Sequence, residues 1–186
     1  MEAIELMIEE HENIRRMLKV VRAYSYKVLN GEKVDYNDFY KIIDFIKNYA
    51  DKNHHCKEED VLFKIIDRQF NMKNGPIMGM LIEHDQGRLF IHNLETALKE
   101  LEEGNEESKL DIIANAVSYA DLLNRHIDKE NNTIYMFANK SLSKENKEEL
   151  NRISSELEAK SKESGIQDKY LNILKELEDK ISKKTD

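Results

Sequence analysis

The sequence predicts an all-α fold, an up-down-up-down four-helix bundle with a C-terminal helical extension, on three observations. Apolar residues return at three- and four-residue steps through four stretches of about 25 to 30 residues each. One Pro and six Gly are all that interrupt 186 residues. The breaks between the stretches, at Asn30-Gly31, Asn71 to Gly75 and Asn105 to Ser108, are short enough to join antiparallel neighbours.

The first helix is expected over Ala3 to Leu29, where Ile4, Met7, Ile8, Ile14, Leu18, Val21, Tyr24 and Val28 share a stripe that also holds His11. Asn30-Gly31 ends it, because Gly takes the left-handed conformation that closes a helix C-terminus. The second helix begins near Asp38 and extends towards Phe70, with Ile43, Ile46 and Ala50 before a pair of histidines and Val61, Leu62 and Ile65 after them. Pro76 suits the first position of a third helix, where its missing N–H costs nothing. That helix aligns Ile77, Leu81, His84, Arg88, Ile91, Leu94 and Leu98 and ends near Gly104. The fourth, from about Lys109 to Asn139, carries Ile112, Ala116, Tyr119, Leu123, His126 and Phe137 on one face. Residues 1 to 140 form the bundle in this reading, and 141 to 186 a helical hairpin packed on it. Ser143 is the N-cap of that hairpin, Gly165 divides it, and SKKTD frays at its end. The rival reading of the extension is a solvated coiled-coil arm for dimerisation.

Composition narrows the function. A net charge of −8 argues against nucleic acid and anionic membranes as partners. The single cysteine, Cys56, excludes an internal disulfide framework and fits a reducing cytoplasm. The opening MEAIELMIEEHENIRR is acidic where a signal peptide is basic and then apolar. No run approaches the roughly 20 apolar residues that span a bilayer. The expected location is the cytoplasm, as a monomer or homodimer.

The chemistry gathers on inward histidines. Four residues turn a helix through roughly 400°, so His126 and Glu130 stand one above the other on the apolar face of the fourth helix. The second helix repeats the arrangement in one of two registers, His54 with Glu58 or His55 with Glu59. Ala50, His54, Glu58, Val61 and Ile65 form one continuous face, whereas His55 looks back onto Asp51 and Asn48. The segment after His54 also echoes the segment after His126. His54 and Glu58 are therefore preferred, with His55 as an extra or replacement ligand. His11 and His84 complete the set from the other two helices. A carboxylate on a buried face must be paired, protonated or bound to a cation. Imidazoles with two carboxylates able to bridge suit a dinuclear site of Zn, Fe or Mn. Two histidines and two bridging glutamates per ion leave room for a bridging oxide or hydroxide and for a small exogenous molecule. Two iron ions meeting dioxygen suit such an unsaturated, apolar-walled pair, because zinc with four ligands is closed and structural.

The pattern His11, His54-Glu58, His84, His126-Glu130 resembles the H…HxxxE…H…HxxxE motif of the hemerythrin-like, or HHE cation-binding, domains. The flanking text HHCKEEDVLF (54–63), EHDQGR (83–88) and LLNRHIDKENN (122–132) is similar too. The resemblance covers residues 1 to about 140, and the tail looks like an extension found in many bacterial and archaeal members. It implies a non-haem di-iron centre that binds dioxygen or related small molecules. The chain departs from the oxygen-carrying members at Arg88, where they place a second histidine, and at Glu130, where they have a longer spacing to an aspartate. Those departures leave the iron at His84 and His126 open or solvent-ligated.

Other residues have weaker readings. Arg88 either hydrogen-bonds a bridging carboxylate or reaches a Glu at the bundle end. His92 is rotated about 80° from His84 and belongs to the surface. Cys56 is off the site, Tyr119 is core or a hydrogen-bond donor to a metal-bound species, and the acidic run Glu100 to Glu107 is solvated loop. The functional expectation is oxygen binding for sensing, buffering or scavenging, with an unknown redox partner. Its rivals are an enzyme acting on peroxide or nitric oxide, an iron donor for cluster repair, and a structural or storage metal protein. Ferritin-like oxidases are disfavoured, because they use Glu-x-x-His pairs.

Overall fold

Helix formers fill the chain between a few breakers, and six helices result among residues 2–182, the residues described by the computed structural model. They are α1 (Ala3–Leu29), α2 (residues 37–70), α3 (Met78–Glu102), α4 (residues 108–141), α5 (Lys144–Glu163) and α6 (Ile166–Ser182). No strand occurs among the described residues. Breaks fall where a left-handed residue is needed: Asn71 closes α2 at φ 54° and Gly165 separates α5 from α6 at φ 67°. The Ser143 hydroxyl accepts a hydrogen bond from the Asn146 N–H at 3.2 Å and starts α5. Of the end expected to fray, Lys183 to Asp186 lie outside the described residues.

Two apolar cores form, with a polar layer between them. In α1 the second core (Ala3, Ile4, Met7) comes first and the first core (Ile14 to Val28) follows. The order reverses in α2, from Phe39–Ala50 to Val61–Ile66, reverses again in α3, and once more in α4. His11, the His54–Glu58 segment, His84 and the His126–Glu130 segment each fall at the crossing point. Burial of this many Leu, Ile, Val and Phe side chains, at about 1.5–3 kcal/mol each, positions the layer; the polar groups in it do not drive the fold. The extension joins both cores, Tyr170, Leu174 and Leu177 of α6 in one and Leu150 of α5 in the other. The pairs Arg16–Glu178 at 2.7 Å and Lys180–Asp38 at 2.6 Å, the latter on a buried carboxylate, border that contact.

Two helices depart from regular α geometry where they cross the layer. In α2 the segments Ile46–His55 and Glu58–Leu62 are π-helical, and in α4 so is Glu130–Tyr135. The i→i+5 bond of a π turn takes in one more residue than an α turn, which lowers the rotation per residue from ~100° to roughly 80°. The stripe of α1 is narrower than expected, and Ile8 is 37% exposed. No helix of the described residues is long and apolar enough to cross a membrane.

Candidate metal centre

His11, His54, His84, His126, Glu58 and Glu130, the six residues singled out by their spacing, meet in the polar layer, and all are buried. His55 is buried with them. Ligating atoms of His11, His54, Glu58 and Glu130 lie within 4.8 Å of one another, and so do those of His55, Glu58, His84 and His126. Here the expected choice between two registers of α2 dissolves. With roughly 80° between neighbours in a π turn, His54 and His55 straddle the inward direction and both enter, His54 on the α1 side and His55 stacked on His84 at 3.8 Å between ring centroids.

Both carboxylates reach across the layer. Glu58 Oε1 lies 3.8 Å from His11 Nε2 and 3.6 Å from His54 Nε2, while its Oε2 lies 3.6 Å from His84 Nε2. Glu130 Oε2 lies 3.3 Å from His11 Nε2 and 3.2 Å from His126 Nε2, and its Oε1 lies 3.8 Å from His84 Nε2. Donors held about 2.1 Å from one ion at tetrahedral or octahedral angles lie ~3.0–3.4 Å apart, close to this spread. The Tyr135 hydroxyl donates to Glu58 Oε1, and its ring stacks on His11 at 5.3 Å.

The far nitrogens of the imidazoles are fixed by a ring of hydrogen bonds that runs from helix to helix. Glu10 of α1 accepts from His54 Nδ1 of α2 at 2.9 Å, and Glu59 of α2 accepts from His84 Nδ1 of α3 at 2.7 Å. Glu83 of α3 accepts from His126 Nδ1 of α4 at 2.9 Å, and Asn131 Oδ1 of α4 accepts from His11 Nδ1 at 2.8 Å, closing the circuit. His55 is held within its own helix by Asp51 at 3.2 Å. With Nδ1–H donated outward, each ring presents a lone pair inward, the tautomer and orientation a metal-bound histidine requires. Cations back the outer acids: Lys57 on Glu10, Lys129 on Glu83, and Arg88 on both Glu59 and Asp51.

A cation fits this donor set. His11 Nε2, His54 Nε2, Glu58 Oε2 and both Glu130 oxygens are buried with no hydrogen-bond partner, and orphaned buried acceptors cost about 1–3 kcal/mol each. His84 Nε2 and His126 Nε2 face each other at 2.8 Å, two lone pairs in opposition unless a proton or cation lies between. Titration follows the same strain. Burial, and then Glu130, raises Glu58 well above the usual carboxylate range. Burial also opposes ionisation of Glu130, but His126 and His11 outweigh it and hold Glu130 low. Burial lowers His54 and His55 and keeps them neutral. His126 is raised because Glu130 and Glu83 outweigh its burial. Two carboxylates and a set of imidazoles converging on one buried layer suit Zn, Fe or Mn.

Residues outside the set fall as follows. Arg88 is not on the inner stripe: its side chain is 39% exposed, and it grips Asp51 and Glu59, the acids that orient His55 and His84. It touches neither Glu58 nor Glu130, so the reading in which it hydrogen-bonds a bridging carboxylate gives way; the other reading is met in part, since the Glu it reaches is Glu59, in the polar layer rather than at the bundle end. Gly87 takes the inward position instead, with Leu123 and Tyr119 against it. Tyr119 is buried and its hydroxyl has no partner. His92 is exposed, and Cys56 is half-buried against Asp60. The outer acceptors Glu10, Asp51, Glu59, Glu83 and Asn131 escape sequence reasoning about an apolar stripe, yet a signal exists. Four of the five adjoin an inward residue: Glu10 precedes His11, Glu83 precedes His84, Glu59 follows Glu58 and Asn131 follows Glu130.

A family model described as the Hemerythrin HHE cation binding domain matches residues 2–138. No curated protein and no solved structure matches the chain.

Proposed function

The chain belongs to the hemerythrin HHE cation-binding family, and from that premise we propose that it is a non-haem di-iron protein of the cytoplasm that binds dioxygen or a related small molecule for sensing, buffering or scavenging. One observation carries the reading. Buried imidazoles, each tied at Nδ1 by an outer acceptor, turn their other nitrogens onto two buried carboxylates, three of whose four oxygens lack a hydrogen-bond partner.

His11, His54, His84, His126, Glu58 and Glu130 hold the ions in this proposal. His55 joins His84 and His126, in place of the imidazole that Arg88 replaces in the oxygen-carrying pattern. Glu58 and Glu130 reach toward both histidine groups, which favours two ions over one. Two iron ions joined by an oxide or hydroxide would supply the redox chemistry. The chain supplies the rest: Tyr135 fixes Glu58, the outer acids and Asn131 hold each Nδ1–H outward so that Nε2 faces inward, and the flanking cores exclude water. The alternation of the two cores along successive helices supports an up-down-up-down arrangement for residues 1–140, with residues 141–186 as a helical hairpin on its flank.

Purification under nitrogen with ferrous iron, metal analysis and stepwise admission of air test the reading. The expected result is close to two irons per chain and an absorption spectrum that changes with oxygen and reverts when oxygen is removed. Redox-silent zinc, or less than one iron per chain, would overturn it.

A further inference from the structure

The acids that tie the imidazoles from outside differ in what stands behind them. Glu59 and Glu83 are backed from within the bundle, by Arg88 of α3 and Lys129 of α4. Behind Glu10 the contacts leave the bundle. Glu10 Oε1 takes the Lys57 ammonium and the Asn53 amide, the latter at 3.0 Å, and Lys57 Nζ lies 3.7 Å from Glu158 Oε2 of α5, in the C-terminal extension. Glu158 Oε1 in turn lies 3.7 Å from Nζ of the exposed Lys162. Charge thus alternates along Glu10, Lys57, Glu158 and Lys162, from the far nitrogen of His54 to the outside of the extension. Two features single out Glu158 on this path. Lys57 is fully buried, and a buried ammonium needs compensation that Glu10, already shared with His54 and Asn53, supplies only in part. Glu158 Oε2 is itself buried without a hydrogen-bond partner, so what it does there is electrostatic, and it does it to Lys57. Glu158 also stands outside the matched residues 2–138, so family membership by itself assigns it nothing.

We propose that Glu158 is a positioning residue for the metal centre, acting through Lys57 and Glu10 on the imidazole of His54, so that the C-terminal extension helps to hold the ion on the His11–His54 side. The proposal rests on the di-iron reading above and adds to it a residue from outside the four ligand-bearing helices. A carboxylate that accepts from a ligating histidine orients the ring and raises its basicity. Lys57 draws negative charge away from Glu10, and Glu158 takes up part of the Lys57 charge, which leaves Glu10 the stronger acceptor for His54 Nδ1–H. Without Glu158 the ammonium falls wholly to Glu10, and the bond that orients His54 weakens. Changing an acceptor in direct contact with a ligating histidine lowers metal affinity about 10–100-fold. Glu158 stands two contacts further out, and its effect is expected to be smaller, about fivefold.

The test compares the iron-loaded full chain as wild type, Glu158→Gln and Glu9→Gln. Glu9 lines the same cleft as Glu10 and Glu158 but stands outside the path, so its variant controls for the loss of one negative charge. Iron is counted per chain, its removal by a chelator is timed, and the iron sites are followed by Mössbauer spectroscopy. Glu158→Gln is expected to load the same iron, to give up one of the two ions about fivefold faster and to shift the Mössbauer signal of that ion alone. Glu9→Gln is expected to match the wild type. In a Lys57→Met background, Glu158→Gln should make no further difference, because the residue through which it acts is gone. Release and spectra unchanged in Glu158→Gln would overturn the proposal. So would equal acceleration by Glu9→Gln, equal acceleration of both ions, or an effect of Glu158→Gln that persists without Lys57. If Lys57→Met fails to hold iron, the comparison of Glu158→Gln with Glu9→Gln still decides. A wild type that binds no iron overturns the di-iron reading instead, and the role of Glu158 falls with it.

Discussion

The His11–His54 side of the polar layer and the His55–His84–His126 side use the same parts in different dielectric surroundings. On the first, Glu10 holds His54 and is itself held by Lys57, whose side chain is 0% exposed and which also faces Glu158 of α5 at 3.7 Å. On the second, Glu59 and Glu83 hold His84 and His126, backed by Arg88 at 39% and Lys129 at 50% exposure. The direction of the pKa shifts follows the contrast. Burial raises Glu10 in spite of Lys57. Burial acts on Glu59 as well, but His84 and Arg88 outweigh it and bring that carboxyl down to about 2. The cation behind one side is buried, and those behind the other meet solvent, so one side is called sealed and the other hydrated at its rim.

Removing what the two sides share should erase the difference. Glu58→Ala takes a carboxylate from both histidine groups and is expected to cut iron from about two to below one per chain. The linked loss of stability should lower the melting temperature by about 10 °C, read by metal analysis and calorimetry. Lys57→Met attacks the sealed side alone. It leaves Glu10 and Glu158 without their cation in a buried place, a change that costs about 3 kcal/mol in chemical denaturation of the metal-free protein. Arg88→Ala is the matching change on the hydrated side and should cost only about 1 kcal/mol. Its larger signature is kinetic: a chelator should draw iron from that side faster, which splits release into two phases. Equal stability losses for Lys57→Met and Arg88→Ala would mean that the two sides do not differ as described.

Acid gives the smallest effect and the finest distinction. Because the folded Glu59 titrates near 2 against an ordinary value of 4.5, its contribution is in place above pH 4.5 and is lost as pH falls from there toward about 2. Glu10 has the opposite sign: raised on folding, it favours the folded state at low pH and loses that advantage as pH rises through 4.5 toward its folded value. Glu59→Gln should therefore flatten the metal-free stability profile between about pH 4.5 and 2. Glu10→Gln should leave that acid limb steep.

The helices and the meeting of the six inward residues in one layer were legible in the sequence because both depend on local period. His11 follows Met7 and precedes Ile14, and His126 stands four before Glu130, so an apolar stripe read at 3.6 residues per turn finds them. His55 was half legible: α geometry turns it away from His54's face, and only the π-helical course of Ile46–His55 brings both inside. A stripe that assumes one pitch throughout cannot show where the pitch changes. Arg88 was misplaced for a related reason, since Gly87 has no side chain to mark it as the inward residue and the charged neighbour took its place in the pattern. The outer ring of Glu10, Glu59, Glu83 and Asn131 lay hidden because each partner pair joins two helices, and such pairings are properties of packing rather than of sequence neighbours.

The placement of the polar layer between two apolar cores bears on how the molecule comes apart. Four helical rods cross one plane in which unpaired acceptors crowd together, and with nothing to neutralise them that plane is expected to give way before the apolar cores on either side. Emptied of cations, the two ends are free to loosen at different temperatures as separate cooperative blocks; clamped by cations, they must give way together. The breadth of the heat-capacity peak thus gauges occupancy without a chromophore.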